Sequence, residues 1–296
     1  MKKYFFTIII IVIISVLTAS LYNLLENNLL NYSKRPIKMA VTFYNYNSSY
    51  ARELKDELIN VVTDNEDLMV ASSAANNPSK LEEQLINLKD KNYDFIFLSG
   101  SSNLSDFAVE EFKEQGSKLI GINDYCSFCQ VSVYIDNFKA GKLEALEMTR
   151  NLSSAKLVIL SDNSYESDER VAGIESLLTS YPEFEVLRVI DNIEELKYLH
   201  NFDVILATTD NLAIQVLDYG NGNIKIYSIG GSPEIKKLIS NGYIQASIAL
   251  KPIELANKAI DFAYQMVEGK KVSDLEIGLD TYSIDNINNK DISGWK

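Results

Sequence analysis

The chain has 296 residues, 46% hydrophobic and 23% charged, so ordinary globular folding into two lobes of domain size is within reach. Its 28 bases against 41 acids leave a net charge of −13; setting aside Lys2, Lys3, Lys34, Arg35 and Glu26 leaves 24 against 40, or −16, on the remainder. That balance argues against nucleic acid as a partner, because phosphate binding needs clustered Lys and Arg, and the single histidine, His200 in KYLHNFDV, removes His-rich metal centres and most Ser-His or Cys-His catalysis.

Residues 4–25, YFFTIIIIVIISVLTASLYNLL, carry no charge and no cysteine. As a helix these 22 residues rise about 1.5 Å each, roughly 33 Å, against a bilayer core of about 30 Å. Lys2 and Lys3 ahead of the stretch favour a cytoplasmic N-terminus, with everything from about Ser33 outside the cell. A cleaved export signal is the competing reading, with an apolar core over 4–17 and a small-residue site at 18–20. Apolar residues continue past that site at Leu21, Tyr22, Leu24 and Leu25, so a single-pass membrane anchor with a linker to residue 32 is favoured. With no cysteine near the site, a lipoprotein does not fit.

From Ile37 onward, short β-branched or aromatic runs alternate with helical patterns, as parallel α/β units do. MAVTFY (39–44) predicts a strand and 50–62 a helix, with Leu54, Leu58 and Val61 at helical spacing. A strand at 68–72 precedes a helix that Asn77 caps and Pro78 opens, with Leu81, Leu85 and Leu88 as its buried stripe. Then come DFIFLSG (94–100), a helix over about 104–115, KLIGIN (118–123), a strand at 131–135 and a long helix over about 137–152. The rhythm restarts with KLVILSD (156–162), a helix over 167–180, FEVLRVI (184–190) and a short helix near 193–199. DVILATTD (203–210) and IKIYSIGG (224–231) are strands, each followed by a helix, and IQASIAL (244–250) precedes a helix from Pro252 to Glu268 closed by Gly269.

Two similar α/β halves, 37–135 and 136–250, followed by a return helix, make a two-lobed layout. Such doubly wound sheets bind ligands at the carboxyl ends of their strands, which predicts a cleft protein. There is no phosphate-cradling glycine motif, no G-x-S-x-G elbow and no cluster with metal-ligand spacing, so no catalytic residue, cofactor or metal is assigned.

Six segments in order resemble one family: NNPSKLEEQLINL (76–88), YIDNFKAGK (134–142), DERVAGIESLL (168–178), TTDNLAIQVL (208–217), SIGGSPEIKKLISNGYIQASIALKP (228–252) and VEGKKV (267–272). Together they resemble the type I periplasmic sugar-binding proteins related to the ribose-binding protein, over nearly all of 37–282. The resemblance implies an α/β fold of the periplasmic-binding-protein type I class, two doubly wound parallel-sheet lobes joined by three crossovers near 135–137, 250–251 and 279–283. One lobe would comprise 33–135 with 251–279, the other 136–250 with 280–296. Ligand binding would close them like a hinge.

The family clamps a sugar between aromatics and bonds its hydroxyls with charged or amide groups. Matched positions make Tyr44, Tyr46, Tyr50, Asn77, Asn123, Asp124, Arg170, Thr209 and Asp210 the candidate ligand-binding residues. Tyr50 falls on an aromatic clamp position, Arg170 keeps a cleft-facing arginine and Asp210 keeps an acid after its strand. Each also has a plain structural role open to it: Asn77 and Asp210 as helix caps, Asn123 and Asp124 as turn formers, Arg170 as a solvated helix charge. Elsewhere the pattern departs. Ala51 stands where a second aromatic is usual, Asn123-Asp124 replace an Asp-Arg pair, Thr209 an asparagine, Gly230 a sugar-binding aspartate and Leu250 a glutamine. Those losses point away from an ordinary pentose or hexose.

Cys126 and Cys129 in DYCSFCQ are the only cysteines. Outside the cell a structural disulfide is favoured, with a redox sensor or an unbonded pair as alternatives. The functional expectation is a membrane-anchored solute-binding protein that captures a small polar, carbohydrate-like ligand and signals to a membrane sensor histidine kinase. The alternatives are the binding component of a sugar ABC permease and, remotely, a CxxC thiol oxidoreductase.

Overall fold

The computed structural model describes residues 14–23, 35–89, 91–113, 118–217, 219 and 224–295. Residues 14–23 form helix α1, with Ile14, Val16, Leu17 and Leu21 exposed. The expected membrane span at 4–25 lies partly outside the described residues, among which no helix is long and apolar enough to cross a membrane.

Residues 38–296 make one compact unit built on two sheets. The first holds β1 (Lys38–Phe43), β2 (Leu68–Ser73), β3 (Phe95–Ser99), β4 (Lys118–Asn123), β5 (Val131–Tyr134) and β11 (Leu275–Glu276), in the order β11-β5-β4-β3-β1-β2. Every pairing in it is parallel, and β3 is buried along its whole length, as strands covered on both faces must be. Helices α2 (Ser49–Asp64) and α9 (Pro252–Val267) cover one face. On the other, Leu81 and Leu85 of α3 (Pro78–Lys89) and Ala108 and Phe112 of α4 (Asp106–Lys113) pack on Ile96, Leu98 and Leu119.

The second sheet holds β6 (Ala155–Leu160), β7 (Phe184–Ile190), β8 (Val204–Ala207), β9 (Lys225–Gly230), β10 (Ala246–Ala249) and β12 (Asp280–Ser283), in the order β12-β10-β9-β8-β6-β7. Only β12 runs antiparallel, against β10. One face packs on α5 (Asn137–Asn151) and α6 (Tyr165–Leu178), the other on α7 (Asp210–Gln215) and α8 (Pro233–Ser240). Among the described residues the chain crosses between the sheets three times: from β5 to α5, from β10 to α9 and from β11 to β12. Lys139 to Glu276 (2.7 Å) and Lys251 to Asp280 (3.2 Å) tie these crossings to one another.

Helix starts follow local chemistry. Ser48, Asp136, Ser164, Thr209 and Ser232 each accept a backbone N–H of the first turn of α2, α5, α6, α7 and α8. Asn77 accepts from Lys80 N (3.1 Å) ahead of Pro78, and Gly269 ends α9 at φ +74°. Two expectations shift. The helix expected over 104–115 is α4, preceded by a 3₁₀ turn at Ser101–Asn103, and the short helix near 193–199 is a 3₁₀ helix over Ile193–Tyr198. In both, an early side-chain or backbone acceptor closes the tighter turn first. His200 is exposed in the loop that follows.

Candidate ligand cleft

The loops at the carboxyl ends of both sheets carry the candidate residues, and Arg170 is the one the fold fixes most firmly. Helices α5 and α6 touch backbone to backbone: a β-carbon at Gly141 would collide with the Arg170 carbonyl, and one at Gly173 with the Phe138 carbonyl. This glycine contact brings Arg170 to the start of α5, where its Nε donates to Asn137 Oδ1 (2.9 Å). Its Nη1 donates to the Thr208 carbonyl at the end of β8 (2.7 Å), and the side chain is buried. Burial pulls the guanidinium below its ordinary pKa, while Glu166, Asp162, Tyr50 and Glu144 push the other way. Glu144 of α5 is itself fully buried, and among the described residues no well-formed hydrogen bond reaches either oxygen. Burial drives its carboxyl well above the usual range, against the opposing pull of Arg170.

A polar chain crosses from one lobe to the other. Tyr50 Oη, in the first turn of α2, donates to Asn123 Oδ1 at the end of β4 (2.8 Å). Asn123 Nδ2 in turn donates to Glu166 Oε1 in the first turn of α6 (3.4 Å). Asn123 has φ +72°, a left-handed backbone that asparagine adopts more readily than most residues and that turns its side chain off the strand. Burial raises the Tyr50 phenol well above its ordinary pKa. The Tyr50 ring also meets the Trp295 ring in an edge-type contact, 6.0 Å between centroids at 68°.

The two aspartates are engaged inside their own lobes. Asp124 Oδ1 accepts from Gly100 N (2.7 Å), and Oδ2 accepts from Ser101 N (2.8 Å) and Ser101 Oγ (2.5 Å). Burial pushes this carboxyl up to about 6 despite those donors. Asp210 Oδ1 accepts from Ser228 Oγ (2.8 Å) and Ser247 Oγ (3.2 Å), and Oδ2 from Ser232 N (2.7 Å). It ties the end of β8 to β9, β10 and the turn after β9. Thr209, not Asp210, caps α7, through Leu212 N (3.3 Å).

The remaining candidates sit at the rim of the first lobe. Tyr44 Oη donates to the Asn76 carbonyl (2.9 Å) and its ring packs on that lobe's core. Tyr46 stands edge-on to Phe43 at 5.9 Å, with Lys55 Nζ over its ring at 5.4 Å. Asn77 caps α3, and Ala51 is buried in α2. Cys126 and Cys129 form a disulfide with Cα atoms 5.4 Å apart. Sequence reasoning missed Asn137, Glu144, Glu166 and Trp295. Glu166 and Asn137 had a signal, each lying in the first turn of a helix at a strand's carboxyl end; Trp295 had none.

Residues 39–271 match the family described as periplasmic binding protein domain. No curated protein matches the chain by sequence. Among solved structures, it is similar to an ABC transporter periplasmic solute binding protein from Actinobacillus succinogenes 130z with bound D-allose (17% identity, TM-score 0.77, 86% of this chain and 100% of that one). It is also similar to an ABC transporter solute binding protein from Mycobacterium smegmatis with bound glycerol (16% identity, TM-score 0.78, 88% and 99%). A third is the Caulobacter myo-inositol binding protein bound to myo-inositol (17% identity, TM-score 0.76, 86% and 95%). At these identities the likeness establishes the fold, two α/β lobes on parallel sheets. With the family match spanning most of its length, the chain belongs to the periplasmic binding protein family.

Proposed function

We propose that the protein is a membrane-tethered, extracytoplasmic receptor that takes a small polar, carbohydrate-like ligand between its lobes and reports it to a sensor histidine kinase. The observation that carries the reading is the convergence of Tyr50 and Asn123 from one lobe with Glu166 and Arg170 from the other. An aromatic ring, an amide, a carboxylate and a guanidinium are the groups that recognise a hydroxylated ring. Solved structures with the same fold hold D-allose, myo-inositol and glycerol, which supports a polyhydroxylated ligand class. The uncharged stretch 4–25 supports tethering, and the absence of a cysteine near it separates this anchor from a lipid one. Binding, not catalysis, is the work such a cleft does: the buried acids Asp124 and Asp210 are held by donors of their own lobes.

The second reading is the binding component of an ABC permease, favoured by the transporter assignments of the similar structures. The full chain in detergent micelles would be screened by thermal shift against D-allose, myo-inositol, D-arabinose and glycerol, with native mass spectrometry for a co-purified molecule. A midpoint rise with any of them, or a bound polyol, supports the reading; neither result across the panel overturns the carbohydrate class. Cross-linking in whole membranes separates the two partners, a histidine kinase for the first reading and a permease for the second.

A further inference from the structure

The segment after β12 is fastened to the second lobe along its length. Ile287 is buried in that lobe's core, and Ile292 packs against it. Lys290 Nζ donates to the Thr281 carbonyl (2.9 Å) and lies 4.5 Å from the Tyr282 ring centroid. Ser293 folds back on Asp291 through its N–H (2.9 Å) and hydroxyl (2.7 Å). Lys236 of α8, with no exposed surface, donates from Nζ to the Gly294 carbonyl (2.7 Å), its ammonium 4.2 Å from the Tyr282 centroid. Burying a lysine is unfavourable unless its charge is well accommodated, so this anchor is a built feature of the fold.

One residue further on, the chain leaves its own lobe. Trp295, the sole tryptophan, is only 6% exposed and packs edge-on against Tyr50 of the first lobe. Tyr50 is the aromatic at the centre of the interlobe chain, hydrogen-bonded through Asn123 to Glu166. An indole buried across a lobe boundary opposes opening, since separation exposes both rings to water. It also covers the tyrosine on which the apolar face of a sugar-like ligand would stack.

We propose that the 291–295 segment is an intramolecular occupant of the cleft: Trp295 covers the stacking subsite of Tyr50, locks the lobes together, and leaves when a ligand takes that subsite. The displacement half rests on the carbohydrate reading; the locking half does not. A receptor with such an occupant sets its ligand threshold by the docking equilibrium of its own tryptophan. Apparent affinity falls by the fraction of molecules in which the subsite is uncovered.

The sole tryptophan makes the test direct. In the full chain in detergent micelles, acrylamide quenching of Trp295 should be several-fold weaker than that of free indole. Spin labels at Ser102 and Asp168, one exposed site on each lobe, should report a longer distance in Trp295→Ala and an unchanged one in Trp295→Phe, which keeps a ring. Quenching like free indole, or an unchanged distance in Trp295→Ala, overturns the lock. Titration with D-allose, myo-inositol and D-arabinose tests displacement: a sugar that binds should raise the quenching and bind Trp295→Ala at least tenfold more tightly. Equal affinity for both variants overturns displacement. A widened distance with no sugar bound by either variant supports the lock and overturns the carbohydrate reading alone.

Discussion

The Asp210 carboxyl group lies against the α-carbon of Gly230, so close that a β-carbon at 230 would collide with its Cγ. The glycine therefore does more than remove an acidic side chain from the cleft. It makes room for Asp210 to reach Ser228, Ser232 and Ser247 and to tie three neighbouring strands together. Asp210→Ala should leave one buried N–H and two hydroxyls without their acceptor, costing about 3 kcal/mol. Gly230→Ala should cost a similar amount by expelling the carboxylate, and the double variant should cost less than the two single losses added together. Urea unfolding of the four proteins reads this coupling. Full additivity would show that the two positions act separately.

Gly141 makes a second prediction of the same steric kind. The α5–α6 contact has no room for a methyl group, because the carbonyl facing it belongs to the backbone of Arg170 and cannot rotate away. Gly141→Ala should destabilise the fold by about 3 kcal/mol, the upper end of ordinary overpacking. Gly278, with open space where its β-carbon would lie, is the control: Gly278→Ala should leave the unfolding midpoint nearly unchanged. Because the displaced carbonyl is that of Arg170, Gly141→Ala should also disturb the Nε bond to Asn137. A chemical-shift change at the Arg170 side chain in the folded variant would report it.

The parallel α/β order was legible from residue pattern because buried strands such as FIFLS and VILA are apolar throughout and helices announce themselves with Asn77-Pro78 or Pro252. The candidate cleft was legible only as a location. Asp124 and Asp210 look like free acids in sequence because their donors lie far off in the chain, Gly100 and Ser101 for one, Ser228, Ser232 and Ser247 for the other. Trp295 was silent because the segment holding it has neither helical nor strand period. Its partners, Lys236 through the neighbouring Gly294 carbonyl and Tyr50 by ring contact, come together only once both lobes are formed.

The Cys126–Cys129 disulfide closes a very short loop, with Cys126 in the first lobe's core beside Leu119 and Phe112. Constraining so short a loop stabilises by about 2 kcal/mol on the chain-entropy account, so a reducing agent should lower stability by that amount and leave the fold intact. The loop follows directly on Asn123 and Asp124, so its stiffening bears on the interlobe chain as well. Thermal unfolding with and without a phosphine reductant checks the first expectation. Hydrogen exchange at Gly100 and Ser101, the amides that Asp124 holds, checks the second: reduction should speed it.

Asp124 should set a pH dependence of stability. Its carboxyl is raised from 3.8 to about 6, by burial first, with the donors of Gly100 and Ser101 opposing. The folded protein therefore holds this proton more tightly than the unfolded chain. The stability so gained is fully present below about pH 4 and is lost as pH rises through about 6, at most about 3 kcal/mol for a shift of this size. Glu144, raised well above its ordinary value by burial, acts in the same direction. Asp124→Asn removes the titration, keeps a carbonyl acceptor for one donor, and should flatten the difference in unfolding free energy between pH 5 and pH 7.5. Glu144→Gln should remove that second contribution and leave a pH profile shallower than that of the wild type. A wild-type curve no steeper than that of Asp124→Asn between pH 5 and 7.5 would mean that the hydrogen bonds of Gly100 and Ser101 hold Asp124 ionised throughout.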